Sequence, residues 1–282
     1  MRARRALVGL LCLAALAATA HAERMTREYK LDVDPGIFSA ADPTVGIERI
    51  GRLVQQAAAE AGVDGVPVAG RRGVRQVRYY DVPGQCLLRE AGWTLRERRH
   101  GKKGELTLKL RLADRARVLA TPLSARGKAR AHLEEDVTPP ATVWLSRSVT
   151  VARGAATPLR TLEEARAVFD ALGGLPAQAA LEPVRGDDIV QTDIPMGVLH
   201  GASLKMTSGI TLWQPHDAAP LMAAEFSFRI VLPAAPDDAG VAAADRFYWA
   251  LQARLPRSAF AQDSTKTAFV YSAGGKDFCA PR

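Results

Sequence analysis

Residues 105–112 read Glu-Leu-Thr-Leu-Lys-Leu-Arg-Leu, an unbroken two-residue alternation. In a strand, successive side chains point to opposite faces, so Glu105, Thr107, Lys109 and Arg111 share one face and four leucines the other. The same separation recurs elsewhere in the chain. Thr26, Glu28, Lys30, Asp32 and Asp34 share a face, as do Thr94, Arg96, Arg98 and His100, and Arg130, His132, Glu134 and Asp136. Glu225, Ser227 and Arg229 lie opposite Phe226, Phe228 and Ile230. Two architectures satisfy such strands. A sheet can pack its apolar face on helices and show its charges to solvent. Alternatively the sheet closes, with charges inside and helices outside. Alternation alone does not separate the two.

The remaining pattern is mixed α and β. Asp42-Pro43 opens a helix of about five turns that ends near Gly62. Val74–Val82 is strand-like and is stopped by Pro83-Gly84. Trp93–His100 and Glu105–Leu112 form a predicted hairpin across the Gly101–Gly104 turn. Further strands are expected at 130–137, 141–151, 199–207, 209–214 and 222–232. Helices are expected at 162–172 and 237–255. Residues 175–197 are rich in Pro, Gly and Asp, and their pattern assigns no element. A hydrophobic share of 48% and a charged share of 24% exclude a fully disordered chain, a collagen and a coiled coil. No repeat or long linker divides the chain, so residues 23–282 are expected to form one domain.

Residues 1–22 read as a signal peptide: Arg2, Arg4 and Arg5 precede an apolar run to Ala20, and Ala20-His21-Ala22 offers a cleavage site before Glu23. The mature chain has no apolar run long enough to span a bilayer, and a secreted or periplasmic location is expected. Loss of three arginines lowers the formal +8 to about +5. A basic surplus suits nucleic acid, anionic lipid or a phosphorylated ligand. The mature chain keeps Cys86 and Cys279. In an oxidising compartment they are expected to pair; the alternative is two unpaired buried thiols. No serine nucleophile elbow, Walker loop, dinucleotide-binding glycine fingerprint or specific nucleic-acid motif is present.

Tyr79-Tyr80-Asp81-Val82-Pro83, then Leu95-Arg96-Glu97-Arg98, then Leu106-Thr107-Leu108-Lys109 resembles, in order and spacing, the central signature of the CYTH family, the triphosphate tunnel metalloenzymes. Glu28-Tyr29-Lys30 resembles part of that family's N-terminal Glu-x-Glu-x-Lys strand. His132-x-Glu134-x-Asp136 is similar to its Arg-x-Glu-x-Glu strand, and Ser264-Thr265-Lys266 to its C-terminal Ser-Lys segment. The resemblance implies an α+β fold: an antiparallel eight-stranded β-barrel forming a tunnel, with helices packed outside and charges inside. It implies that Lys30, Arg96, Arg98, Lys109 and Lys205 bind the phosphates of a phosphorylated small molecule or polyphosphate. It further implies Mg²⁺ or Mn²⁺ held by Glu28, Glu134, Asp136 and Glu225.

The departures matter equally. Thr26 and Ser227 stand where the family has acids, and His132 where it has Arg. The family's late-strand Asp has no counterpart between Lys205 and Pro215. The basic side is better kept than the acidic side. Two functions therefore stay open: a metal-dependent phosphohydrolase, and a non-catalytic ligand-binding or scaffold barrel with a degenerate metal site.

Overall fold

The computed structural model describes residues 25–39, 41–154, 158–216, 219–232, 238–258, 266–272 and 278–280. The expected signal peptide and Ser264-Thr265 lie outside the described residues. Ten strands form one sheet: β1 Met25–Val33, β2 Gly73–Asp81, β3 Trp93–His100, β4 Lys103–Leu112, β5 Ala129–Thr138, β6 Thr142–Arg153, β7 Glu182–Pro183, β8 Ile189–Gly201, β9 Leu204–Gln214 and β10 Ala223–Val231. Among the described residues six α-helices accompany them: α1 Thr44–Ala61, α2 Leu87–Glu90, α3 Arg115–Ala120, α4 Leu162–Arg166, α5 Asp238–Arg254 and α6 Lys266–Ser272.

The sheet runs β3-β4-β6-β5-β1-β10-β9-β8-β2, and a β2–β3 pairing returns it to its start. Nine strands therefore close a ring, and the two-residue β7 is appended to β2. The sequence reading expected eight antiparallel strands. One pairing, β1 with β5, is parallel, with Glu28 opposite Asp136. The extra strand is β8, which takes up the end of the unassigned stretch, residues 189–197. A register shift between Pro195 and Gly197 breaks its alternation, which is why no period is legible there. The run expected at 199–207 is two strands, because the chain turns at Ala202 with φ +49°. The helix expected over 162–172 is α4 followed by a separate 3₁₀ turn at Asp170–Leu172.

The apolar faces of the strands point outward. Tyr29, Leu31, Val33, Phe226, Phe228 and Ile230 are buried beneath α1 and α5, whose Ile50, Val54, Phe247 and Leu251 pack on them. Leu106, Leu108 and Leu110 are buried on the opposite side, with Leu162, Phe169 and Leu172. This is the second of the two architectures: apolar outside under helices, charge inside. Helix α1 begins where the sequence places it, with the Asp42 carboxylate accepting from the Thr44 backbone N–H at 3.0 Å. It ends at Gly62, whose φ of +68° suits glycine. Among the described residues no helix is long and apolar enough to cross a membrane.

Candidate functional site

The inward faces of the ring enclose a cavity of about 1100 Å³. Its charged lining comes from alternate positions of the strands, so strand phase decides which groups meet. Gly92, at φ +80°, sets the entry into β3; a Cβ there would lie 2.4 Å from Leu112 Cδ2. From that entry Thr94, Arg96 and Arg98 turn inward, while Leu95 and Glu97 turn outward and are buried. There the Tyr80 hydroxyl donates to Glu97 Oε2 at 2.7 Å, while the buried Oε1 has no hydrogen-bond partner among the described residues.

One wall of the lumen is a dense ionic network. Glu28 on β1 and Glu134 and Asp136 on β5 place carboxylate oxygens within 4.8 Å of one another. The Lys30 ammonium sits among them, donating to Asp136 and lying 2.9 Å from Glu28 and 3.7 Å from Glu134. Lys109 on β4 donates to Asp136 at 2.9 Å and to Glu134 at 3.4 Å. Arg229 on β10 lies 3.2 Å from both Glu28 and Glu134. Burial alone would push the Asp136 carboxyl up, but Lys109, Lys30 and Arg111 hold it well below the usual carboxylate range. Glu28 is likewise depressed against its own burial by Lys30 and Arg229. Lys30 is raised well above an ordinary lysine, because Asp136, Glu28, Glu134 and Glu225 outweigh its desolvation.

The facing wall, on β2 and β3, is different. Arg96 and Arg98 make no ion pair with a carboxylate among the described residues, and the buried Nε of each lacks a hydrogen-bond partner. Burial, then repulsion from Arg96, pulls the Arg98 guanidinium down to about 9. Two neighbouring guanidiniums turned into one cavity form a cationic surface suited to an oxyanion that accepts several N–H bonds at once.

The residues expected from sequence distribute as follows. Lys30, Arg96, Arg98, Lys109, Glu28, Glu134, Asp136 and Glu225 all line the lumen. Glu225 is buried on β10 opposite Asp32 but does not belong to the three-carboxylate cluster. Lys205 is exposed at the β8–β9 turn and is not part of the lining. Thr26 accepts or donates a 3.1 Å hydrogen bond with His132 Nε2, which also contacts Glu134 at 3.2 Å. Ser227 Oγ donates to Glu28 at 3.3 Å. Cys86 and Cys279 form a disulfide with a Cα–Cα distance of 5.1 Å.

Sequence reasoning gave no role to Arg75, Arg111, Gln191, Asp193 or Arg229, all of which line the lumen. Arg111 and Arg229 were legible on polar faces but were given no role. Arg111 lies over the Trp144 ring at 5.1 Å and 3.8 Å from Asp136, too long for a hydrogen bond. Asp193 on β8 stands opposite Thr211 in register and accepts from Thr211 Oγ1 at 3.2 Å and Gln191 Nε2 at 2.7 Å. It also pairs with Arg75. An acid is thus present beside β9, supplied from the neighbouring strand. The i, i+2 spacing of Gln191 and Asp193 was the available signal, hidden by Pro195 and Gly197.

All three carboxylates of the cluster offer hard oxygen donors and fit Mg²⁺ or Mn²⁺ by chemistry. The same oxygens already accept from two ammonium groups, so a cation seated there must displace or rearrange Lys30 and Lys109.

No family model and no curated protein matches the chain. Solved structures do, among them the following two. One is a candidate adenylyl cyclase from Hippeastrum described as having a dominant triphosphatase activity. It is 12% identical, at a TM-score of 0.41, over 87% of this chain and 95% of that one. The other is a candidate adenylate cyclase from Bacillus halodurans, 11% identical at a TM-score of 0.39, over 85% of this chain and 97% of that one.

Proposed function

We propose that this is a CYTH-type tunnel protein that binds the phosphoryl groups of a triphosphate or polyphosphate inside the ring. The observation that carries the reading is the pair of inward guanidiniums, Arg96 and Arg98, which make no ion pair among the described residues and face an ionic wall that holds its own cations. A polyanion bound between the walls takes charge-assisted hydrogen bonds from Arg96 and Arg98. It also attracts Lys30 and Lys109 from the other side. A divalent ion on Glu28, Glu134 and Asp136 would supply Lewis-acid polarisation of a phosphoryl oxygen. The chain's own part is to orient the phosphate chain and to hold it away from bulk water. The leading segment supports export as part of the same proposal, with a mature N-terminus at Glu23 that mass spectrometry of the secreted protein would read.

A second reading rests on the same wall. Lys30 and Lys109 neutralise the carboxylates, and hydroxyls occupy positions 26 and 227. That arrangement suits a barrel that binds phosphate without turning it over. Calorimetric titration with tripolyphosphate, with and without Mg²⁺ or Mn²⁺, combined with a phosphate-release assay, separates the two. Binding with metal-dependent release marks the hydrolase, and binding without release marks the binding protein. Arg96→Ala is expected to lose ~1.5–3 kcal/mol of binding, the range for hydrogen bonds to charged groups. Its folding stability should be unchanged or higher, because a like-charge contact with Arg98 is removed. Absence of tripolyphosphate binding by the wild type under all these conditions would overturn both readings.

A further inference from the structure

A third guanidinium stands beside Arg96 and Arg98, and it is already engaged. Arg75 on β2 lines the lumen two residues along the same face from Val77, which pairs in register with Arg98. Gln191 on β8 is opposite Arg75, and Asp193 is the diagonal neighbour two residues on. The two oxygens of Asp193 are used differently. Oδ1 accepts from Gln191 Nε2 at 2.7 Å and from Thr211 Oγ1 at 3.2 Å, and Gln191 is only 3% exposed. Oδ2 lies 2.5 Å from Arg75 Nη2, yet it is buried without an aligned hydrogen bond. The carboxylate is therefore anchored through one oxygen and holds Arg75 by charge through the other. The side chains of Arg75 and Asp193 remain 33% and 26% exposed, so water still screens the pair. Both act on Arg98: burial and Arg96 depress it first, Arg75 depresses it further, and Asp193 opposes them.

We propose that Arg75 is a further phosphate-binding residue of the lumen and that Asp193 is its built-in competitor, a tethered carboxylate that occupies Arg75 until a polyanion draws it away. This rests on the phosphate-binding reading above and deepens it by naming the residue pair that sets the affinity. The chemistry favours exchange. Asp193 is held by Gln191 and Thr211, whereas the long Arg75 side chain can pivot about β2. A phosphoryl chain carries several charges and accepts parallel N–H bonds from one guanidinium, which the misaligned Oδ2 does not. Once Arg75 turns to the ligand, Oδ2 is left buried without its counter-charge, so Asp193 subtracts from the affinity that Arg75 adds. In the empty lumen the same carboxylate keeps three guanidiniums from standing side by side uncompensated.

Calorimetric titration with metal-free tripolyphosphate at low salt tests the pair. Asp193→Asn keeps the size of the side chain and an oxygen for Gln191 and Thr211, and it should tighten binding by about threefold or more. That gain alone follows from removing any carboxylate from the lumen, so the deciding comparison is made within Asp193→Asn. There Arg75→Lys keeps the positive charge but loses the planar fork, and it should weaken binding by about tenfold, close to the effect of Arg75→Ala. Equal affinity with and without Arg75→Lys would show that position 75 acts only through its charge and would overturn the contact. An Asp193→Asn variant that binds no more tightly than the wild type would overturn the competition. If urea unfolding shows that the substitutions prevent folding, a crystal structure of the wild type with tripolyphosphate decides. Arg75 on a phosphoryl oxygen and away from Asp193 supports the exchange, and Arg75 still on Asp193 overturns it. A wild type that binds no tripolyphosphate overturns the underlying reading as well, whereas the other failures leave that reading standing.

Discussion

Asp136→Asn should separate the two demands made on the lumen, stability when empty and affinity for an anion. Asp136 is the most buried member of the carboxylate cluster, with 1% of its side chain exposed, and it accepts from both Lys30 and Lys109. Removing one partner of a buried pair costs ~3–5 kcal/mol when the other charge is left uncompensated. Here Glu28 and Glu134 remain to accept from the ammoniums, so the lower end, about 3 kcal/mol, is expected. Urea unfolding at neutral pH and low salt would read this as a lower midpoint at unchanged slope. The same substitution removes a negative charge from the wall that faces Arg96 and Arg98 and leaves Lys30 and Lys109 less neutralised. Metal-free tripolyphosphate binding should therefore tighten even as the empty protein weakens, and saturating ligand should recover part of the lost stability by mass action. A variant as stable as the wild type would refute the placement of Asp136 among the cations. One that is destabilised and also binds more weakly would refute the assignment of the lumen to anions.

Two further outcomes follow from the same geometry. The carboxyls of Glu28 and Asp136 are depressed in the folded state, so their contribution to stability is fully present above their unfolded values near pH 4 and is lost as pH falls through the folded ones. Urea midpoints between pH 7 and pH 3 should fall steeply at the acid end, and Asp136→Asn should show a shallower fall; identical acid limbs would count against the ion pairs. Reduction of the Cys86–Cys279 bridge, whose cysteines are 193 residues apart, should lower stability by ~2–4 kcal/mol, read as a difference in unfolding midpoint with and without reductant.

The alternation of the strands made the polar and apolar faces legible, but not which face points inward. Glu105, Thr107, Lys109 and Arg111 satisfy a solvated sheet as well as a lumen, because period two carries no sign. The family resemblance supplied the sign, and the buried outward rows of Leu106, Leu108 and Leu110 agree with it. What stayed hidden has local causes. The bulge at Pro195 and Gly197 disrupts the period of β8, which concealed both the ninth strand of the ring and Asp193. Lys205 matched a polar parity on β9, yet a residue one step from a hairpin turn stands beyond the rim. Helix α6 is seven residues long, too short for a helical period to declare itself beside Ser264-Thr265-Lys266.

The distribution of charge within the lumen, more than its total, sets what the protein can do. On the β1, β5 and β10 wall, acids and bases answer each other at hydrogen-bond distance, so that wall is close to neutral and can be desolvated when empty. On the β3 wall, Arg96 and Arg98 are turned into the cavity and pair with no carboxylate among the described residues; burial first, and then the neighbouring Arg96, pulls Arg98 down. Such an unfavourable pair persists in a fold when the surrounding structure over-determines it. Here the determinants are the phase set at Gly92 and the pairing of Arg96 and Arg98 with Tyr79 and Val77 across β2. An anion relieves that strain and at the same time competes for Lys30 and Lys109. Loosening the ammoniums from Glu28, Glu134 and Asp136 leaves oxygen donors available to a divalent cation. Anion and cation should therefore favour each other's binding, and by linkage each must raise the other's affinity by the same factor.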